Sequence, residues 1–212
     1  MITELQTTPE RIESFYDSHL NRKCVRVYRG KELLKELPEL RLNLGCGKKQ
    51  YEDYINVDKV ALPGVQFVHD LEKTPLPFDT NSVSEIRCEH ILEHIVNYMP
   101  LLEEMHRISK PDAKIHVLAP YYKYEAAFRD PTHVRFFTEH SFDYFQDNVE
   151  FSHYSQARFK VEKAEKGVRF MSSVKNKRKK IMAMTPKFLR PFLDHFMWNV
   201  YSELTFDLRV LK

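Results

Sequence analysis

The sequence predicts an α/β protein built around a mostly parallel β-sheet. Between residues 40 and 118, short runs rich in β-forming residues alternate with a helical pattern, as expected for strands joined by crossovers. A glycine-rich loop, "GCG", directly follows the first of these runs. Two longer β-rich runs near the end of the chain, "ARFKVEKAEKGVRFM" and "SELTFDLRVL", predict an antiparallel pair at one edge of the sheet.

Residues 1–39 are predicted to form a helical extension packed on this core. Residues 8–20 carry Pro9 near a first turn and apolar side chains on one side, which is typical of a helix. The run "CVRVYR" (24–29) predicts a short strand, and "KELLKELP" (31–38) predicts a helix that ends at Pro38. The main domain is expected to occupy residues 40–212.

Five strands and one helix are predicted in the first part of that domain. The strands cover residues 40–44, 54–57, 65–69, 85–88 and 114–118. The helix covers residues 98–109, where apolar residues recur at helical spacing: Leu101, Leu102, Met105 and Ile108. A polar and aromatic segment follows at 119–150, and a basic and aromatic insertion is expected at 174–200.

Composition limits the class of protein. The chain has 212 residues and a formal net charge of +3, which is too small to indicate nucleic-acid binding by itself. Cys24, Cys46 and Cys88 show no paired spacing, so a reducing compartment is expected. The first residues lack the pattern of a signal peptide, and no apolar run approaches the roughly 18 residues that span a bilayer. These features predict a cytoplasmic protein.

Three successive strand ends carry residues suited to a ligand. Two of the five glycines, Gly45 and Gly47, follow the first core strand, where glycine permits a positive φ or close approach of a ligand to the backbone. Asp58 ends the second strand and can accept hydrogen bonds from both hydroxyls of a ribose. Asp70 follows the third strand and can accept one from the exocyclic amine of adenine. Ligands of open parallel sheets bind beyond these carboxyl ends.

The same spacing argues against a dinucleotide. That fingerprint requires G-x-G-x-x-G, a following helix and an acid about 20 residues further on. Here Gln50 stands at the third glycine, and Asp58 follows Gly47 too soon to leave room for a long helix. Without a helix N-terminus, a pyrophosphate has no obvious binding site. The prediction is a cofactor that carries adenosine without phosphate.

Several motifs in order resemble the class I S-adenosylmethionine-dependent methyltransferases, in a branch with an "NLGCG…NVD" opening and an "LEH" signature. They are "LNLGCG", "NVD", "HDL", "LPFDTNSVSEIRCEHILEHI" and "LLEEMHRISKPDAKIHVLAPYY". The resemblance covers residues 40–122 and extends to the closing "SELTFDLRVLK". It implies a Rossmann-like, doubly wound sheet of seven strands with an antiparallel edge strand, and S-adenosyl-L-methionine as the cofactor.

The resemblance also implies roles for individual residues. The glycine loop would approach the methionine part of the cofactor, an acid would bind the ribose with a flanking residue beside adenine, a pair would bind adenine, and the end of the fourth strand would lie beside the sulfonium. In that order these residues are Gly45, Cys46 and Gly47; Asp58 and Lys59; Asp70 and Leu71; Glu89 and His90. Asn43 replaces the acid that usually opens the loop, and Lys49 replaces its usual third glycine.

Catalytic candidates come from the ends of the fourth and fifth strands. His90 follows the fourth strand, and Tyr121 begins the segment expected to form the acceptor pocket. "DPTHVRFFTEHSF" resembles a recurring stretch of the same branch, and its His133 is the best candidate for a general base. The alternative is that His133 only hydrogen-bonds the loop backbone.

A rival motif overlaps the fourth strand end. "HILEH" (90–94) matches the H-x-x-E-H pattern of inverted zinc proteases, in which His90 and His94 would share one helix face with Glu93 near a water. The motif follows a short strand instead of lying in a long helix, and "LEH" belongs to the methyltransferase pattern. No metal is therefore expected.

The sequence thus predicts methyl transfer to a small-molecule or saccharide-like acceptor. Oxygen is the expected target, because "CEHI" stands where many amino-methylating enzymes have an Asn-Pro-Pro-Tyr-type tetrapeptide. Two alternatives stay open: a catalytically silent adenosyl-binding scaffold, and a methyltransferase that acts on RNA or protein. The basic run from Lys175 to Lys180, followed by aromatic residues, is compatible with a solvated charge run, a lid, contact with a membrane surface or binding of RNA phosphates.

Overall fold

The strands in the described part of the chain form two β-sheets. The structure is a computed structural model that describes residues 10–18, 22–147, 152–168 and 185–212. The strands among these residues are β1 (Glu10–Asp17), β2 (Arg22–Arg29), β3 (Glu32–Leu37), β4 (Arg41–Leu44), β5 (Ile55–Asp58), β6 (Phe67–Val68), β7 (Val83–Glu89), β8 (Ser109–Pro120), β9 (Phe159–Gly167) and β10 (Glu203–Val210).

The N-terminal extension is a small antiparallel sheet in the order β1-β2-β3. The predicted helices over residues 8–20 and 31–38 are therefore wrong where the structure describes them. Pairing across strands overrides the helical pattern: the Arg26 guanidinium lies 3.8 Å from the Phe15 ring centroid on β1, and its Nε donates to Glu36 on β3. Gly30, with φ +60°, begins the two-residue turn between β2 and β3, a hairpin signal that the periodicity argument missed.

The main sheet has seven strands in the order β6-β5-β4-β7-β8-β10-β9. Strands β4 to β8 run parallel, whereas β10 pairs antiparallel with both β8 and β9. This confirms the predicted Rossmann-like, mostly parallel sheet with an antiparallel pair at one edge. Residues 45–54 connect β4 to β5 through turns, so no long helix follows the glycine loop.

Helix α1 (Tyr98–Ile108) confirms the predicted helix and covers one face of the sheet. Its buried residues include the four that recur at helical spacing, and they join the main core with Leu42, Ile86 and Val117 of the central strands. Near the antiparallel pair, the rings of Phe142 and Phe206 lie 4.8 Å apart, edge to face. The core thus holds the central strand ends, where the site lies, in fixed positions.

Two shorter helices flank the carboxyl end of β8. Helix α2 (Ala126–Arg129) lies in the segment after β8, and α3 (Arg190–Phe196) precedes β10. The basic run from Lys175 to Lys180 lies outside the described residues. In the described part of the insertion, large aromatic side chains are exposed: Phe188, Phe192, Phe196 and Trp198. Among the described residues, the helices are all too short or too polar to cross a membrane.

Candidate cofactor and acceptor site

The carboxyl ends of β4, β5 and β6 bring the predicted cofactor residues to one edge of the sheet. Leu44 pairs with Val57, and Asp58 pairs with Val68, so the three strands end side by side. With neighbouring strands about 4.8 Å apart, the outer two lie about 10 Å from each other. The glycine loop, Asp58 and Asp70 therefore fall within the span of one nucleoside.

The two loop glycines have different neighbours. Both adopt the left-handed region, with φ +66° at Gly45 and +48° at Gly47. A Cβ placed on Gly45 would lie 2.3 Å from Cγ1 of Ile91, so this glycine permits close packing. A Cβ placed on Gly47 would meet nothing within 4 Å. The backbone at Gly47 is therefore open on the side to which a side chain would point.

Asp58 joins the loop to the second strand. Its Oδ2 accepts a hydrogen bond from the Gly47 N–H at 2.8 Å, and its Oδ1 accepts one from the Val60 N–H at 3.0 Å. A carboxylate has about four acceptor positions, so each oxygen retains one. Those positions suit the two hydroxyls of a ribose. Lys59 is exposed beside it.

Asp70 and Leu71 differ in what they offer a ligand. Oδ1 of Asp70 accepts from the Glu72 N–H at 3.1 Å, which closes a local turn and leaves Oδ2 for other partners. The Leu71 side chain is buried in the main core. Cys46 is also buried, and burial, with Asp58 nearby, raises the pKa of its thiol to about 11. Leu71 and Cys46 thus support the site by packing, and Asp70 presents a polar group.

Asn43 holds the glycine loop in place. This buried side chain donates through Nδ2 to the Lys49 carbonyl at 2.8 Å and to Oδ1 of Asn56 at 2.9 Å. Asn56 is its register partner on β5, and its Oδ1 also accepts from the Tyr51 N–H. The amide at the position of the usual acid therefore fixes both ends of the loop. Asn56 was not anticipated, although its place opposite Asn43 in adjacent strands was a usable signal.

Glu89, at the end of β7, is the centre of a charged network. It pairs with Lys49 from the loop, accepts from Arg87 Nη2 at 2.6 Å and accepts from the Tyr51 hydroxyl at 2.9 Å. Burial alone would raise the pKa of Glu89, but the hydrogen bonds from these groups outweigh it and lower the pKa to about 2. Lys49, where a glycine was expected, thus ties the loop to β7 by an ion pair.

Replacement of Glu89 by glutamine is expected to destabilise the protein by about 2 kcal/mol at pH 7. Because the pKa of Glu89 is lower in the folded than in the unfolded protein, its contribution is complete above about pH 4.5 and is lost as pH falls toward 2. Urea denaturation of both proteins from pH 7 to about pH 3 should show the difference narrowing below about pH 4.5. The exposed Glu52→Gln serves as the control. A difference that stays constant over this range would contradict the assignment.

His90 lies between two carboxylates. Its φ is +54°, an unusual value for a residue with a side chain, and its backbone N–H donates to the Leu118 carbonyl. Nδ1 lies 3.4 Å from Glu93 Oε1, and Nε2 lies 3.3 Å from Glu203 Oε1. Burial lowers the pKa of the imidazole, but the two acids outweigh it and raise the pKa to about 9. At neutral pH His90 is therefore a cation without a lone pair to accept a proton.

The zinc-protease geometry is not formed in residues 90–94, all of which the structure describes. Leu92–His94 make a single 3-10 turn, not the long helix that would place both histidines on one face. His90 points to Glu93 and Glu203, whereas His94 packs edge to face against His133, with the ring centroids 4.7 Å apart.

Tyr121, the first residue after β8, connects the segment that follows β8 to α3. The side chain is buried, and its hydroxyl donates to Asp194 Oδ2 at 2.8 Å. Burial and the Asp194 carboxylate raise the pKa of Tyr121. Lys166 Nζ binds the same carboxylate at 2.9 Å. The hydroxyl is thus engaged in holding α3, a role that the sequence did not predict.

His133 is held by a backbone contact, as the alternative in the sequence argument proposed. Nδ1 donates to the Ala127 carbonyl at 2.8 Å, and the side chain is nearly buried. Because a carbonyl only accepts, the proton is on Nδ1 and the lone pair is on Nε2. The segment that carries His133 packs against the turn after β7, since the Val134 and Arg135 N–H groups both donate to the Glu93 carbonyl.

Comparison with known proteins supports the fold. No protein-family description and no curated protein matches this sequence. A solved structure of an S-adenosylmethionine-dependent methyltransferase from Archaeoglobus fulgidus is similar, with a TM-score of 0.54 and 14% identity over 81% of this chain and 86% of that chain. The chain thus has the Rossmann-like fold of such methyltransferases.

Two further structures show how far this similarity extends. One comes from a complex between the Haloferax volcanii methyltransferase activator Trm112 and a protein described as a methyltransferase (TM-score 0.53, 13% identity, 82% of this chain and 83% of that chain). The other is the [4+2]-cyclase SpnF (TM-score 0.50, 14% identity, 82% and 75%). Since the fold also supports a cyclase, activity has to be argued from the site.

Proposed function

We propose that the protein is an S-adenosylmethionine-dependent methyltransferase that binds its cofactor across the ends of β4, β5 and β6. One observation carries this proposal. The backbone at Gly47 is open, and the neighbouring Asp58 has two carboxylate oxygens that can each accept one more hydrogen bond. Asp70 follows β6, the next strand of the sheet, and can accept a hydrogen bond from the exocyclic amine of adenine. Because residues 45–54 form turns, the loop offers no helix N-terminus to a pyrophosphate.

The chain's residues would act mainly by binding and alignment. The bound cofactor supplies an electrophilic methyl group, and the protein's task is to hold an acceptor atom in line with it. The segment after β8 is anchored over the adjacent strand ends by the bonds to the Glu93 carbonyl and by the Tyr121–Asp194 contact. We assign this segment to the acceptor, which we propose is a small molecule or saccharide methylated at oxygen.

His133 is the proposed acceptor of the hydroxyl proton, through Nε2. Its Nδ1–H bond to Ala127 fixes the tautomer that leaves Nε2 able to take a proton. Neither of the other predicted candidates is suited to this step, since His90 is protonated and the Tyr121 hydroxyl is bound to Asp194.

Replacement of His133 by alanine is expected to lower turnover at least about 100-fold while cofactor affinity changes less than about twofold. A labelled-methyl screen over hydroxylated small molecules and saccharides would supply the acceptor, and calorimetry would supply the cofactor affinity. The control is His140→Ala, whose side chain is 83% exposed and lies 2.8 Å from Asp143 Oδ2 through Nδ1. Equal turnover in the His133 variant would remove this residue from the mechanism.

One observation keeps a catalytically silent scaffold as the second candidate. The Lys49–Glu89 ion pair joins the glycine loop to the end of β7, beside the expected place of the sulfonium. Binding of S-adenosylmethionine without transfer to any acceptor class in the same screen, including RNA and protein, would favour this candidate.

A further inference from the structure

Three potential metal ligands converge where the turn after β7 meets the segment after β8. Glu93, His94 and His133 each offer one ligand atom, and these atoms lie within 4.8 Å of one another. The zinc-protease motif pairs His94 with His90, whereas the fold pairs His94 with a histidine of a different segment. This cluster belongs to neither the cofactor residues nor the charged network of Glu89.

The hydrogen bonds of the two histidines leave a lone pair on each ring. The Thr132 hydroxyl donates its single hydrogen to Asp130 Oδ1 at 2.7 Å, so its oxygen accepts from Nδ1–H of His94 at 2.8 Å. The Nδ1–H of His133 donates to the Ala127 carbonyl. Both Nε2 atoms are therefore unprotonated in the neutral rings. Metal-binding histidines characteristically donate their other ring N–H to such an oxygen.

The third ligand is a buried carboxylate with an unsatisfied oxygen. Glu93 is 1% exposed, and its Oε2 has no hydrogen-bond partner in the part of the chain that the structure describes. Its Oε1 lies 3.4 Å from His90 Nδ1, and Nε2 of the same ring lies 3.3 Å from Glu203 Oε1. Burial of a carboxylate oxygen without a partner is costly unless it is bound by another group. A cation at the cluster would satisfy it.

We propose that Glu93, His94 and His133 form a Zn²⁺ site with three protein ligands. Two imidazoles and one carboxylate are a donor set that zinc uses in three-ligand sites with an open fourth position. Ligand atoms about 2.1 Å from zinc in a tetrahedral arrangement lie about 3.4 Å apart. The ligand atoms here lie within 4.8 Å of one another, so they have to approach by up to roughly 1.4 Å. A further carboxylate oxygen, Asp130 Oδ2, lies 4.0 Å from His133 Nε2.

Zinc at this site would join the segment after β8 to the turn after β7. It would also take up the Nε2 lone pair of His133, so the metal-bound form could not use that atom as a base. The site itself does not depend on methyltransferase activity, because its ligands, their tautomers and the buried oxygen are properties of the folded chain. Metal binding can therefore be measured without an acceptor or a cofactor.

The test is a zinc titration of chelator-treated full-length protein in competition with a chromogenic chelator. Wild type is expected to bind one equivalent, and Co²⁺ in its place should give the visible absorption of a four-coordinate site. His94→Ala and Glu93→Gln should each weaken zinc binding at least about 100-fold, while His140→Ala should bind like wild type. Thermal unfolding in chelator checks that the variants fold, and zinc should raise the melting temperature of wild type and of His140→Ala only.

Two results would overturn the proposal. One is the lack of stoichiometric zinc binding by wild type, and the other is an unchanged affinity in both the His94 and the Glu93 variants. Neither result bears on S-adenosylmethionine binding, which the wild-type protein can be tested for separately.

Discussion

Asp58→Ala should bind S-adenosylmethionine at least about 100-fold more weakly than wild type. In the proposed complex the carboxylate accepts from two ribose hydroxyls, and hydrogen bonds to a charged group contribute about 1.5–3 kcal/mol each. The variant also removes the acceptor of the Gly47 N–H, 2.8 Å away, so the loop loses a contact that holds it open. Both losses should weaken the binding of S-adenosylmethionine.

The measurement is calorimetric titration of each protein with S-adenosylmethionine and with its demethylated product. Asp53→Ala is the matched control, because Asp53 is an exposed acid in the loop between β4 and β5. It carries the same change of charge but lies away from the strand end. Equal affinities of wild type and Asp58→Ala would exclude Asp58 from the site, and equal losses in both variants would indicate a general electrostatic effect.

Gly45→Ala is expected to destabilise the protein by about 3 kcal/mol, since a left-handed φ and overpacking each cost about 1–2 kcal/mol. The new Cβ would lie 2.3 Å from Ile91, whose side chain is held in the turn after β7. Movement of either group would displace the glycine loop from the strand ends. Loss of cofactor binding is therefore expected together with the loss of stability.

Gly47→Ala separates the loss of cofactor binding from the loss of stability. Its φ is also positive, but its Cβ would meet no protein atom within 4 Å, so only about 1 kcal/mol of stability should be lost. The methyl group would instead occupy the space that the cofactor requires. Urea denaturation gives the stabilities, and the same calorimetry gives the affinities. Equal destabilisation by the two substitutions would contradict the assignment of Ile91 as the contact that makes Gly45 necessary.

The main sheet was predictable because its strands are short apolar runs separated by turn residues. The runs ending near Leu44 and Val57 became parallel strands that are buried almost throughout, as aliphatic residues suit a sheet covered on both faces. The run ending near Cys88 became a parallel strand in which buried residues are interspersed with half-buried polar ones. The N-terminal extension was not predictable in the same way. Residues 8–20 also satisfy a helical pattern, and only pairing with β2 decides in favour of a strand.

The residues of the candidate site also differ in how far the sequence predicts them. The glycine loop and Asp58 are local signals, readable because they follow strands directly. The partners of Tyr121 and His94 are not, since Asp194 lies 73 positions from the first and Thr132 lies 38 positions from the second. Contacts between residues so far apart in the sequence depend on how α3 and the segment after β8 pack, which no motif encodes. The same holds for Tyr51, which lies 38 positions from Glu89, whereas Arg87 lies two positions from Glu89 on the same strand.

Calorimetric titration of the wild-type protein shows directly what the ends of β4, β5 and β6 bind. S-adenosylmethionine should bind at one equivalent, and its demethylated product should compete for the same site. ATP and NAD should give no binding at the same concentrations, since the loop offers no helix N-terminus to their phosphates. No heat with S-adenosylmethionine, or its displacement by ATP or NAD, would contradict the adenosyl site.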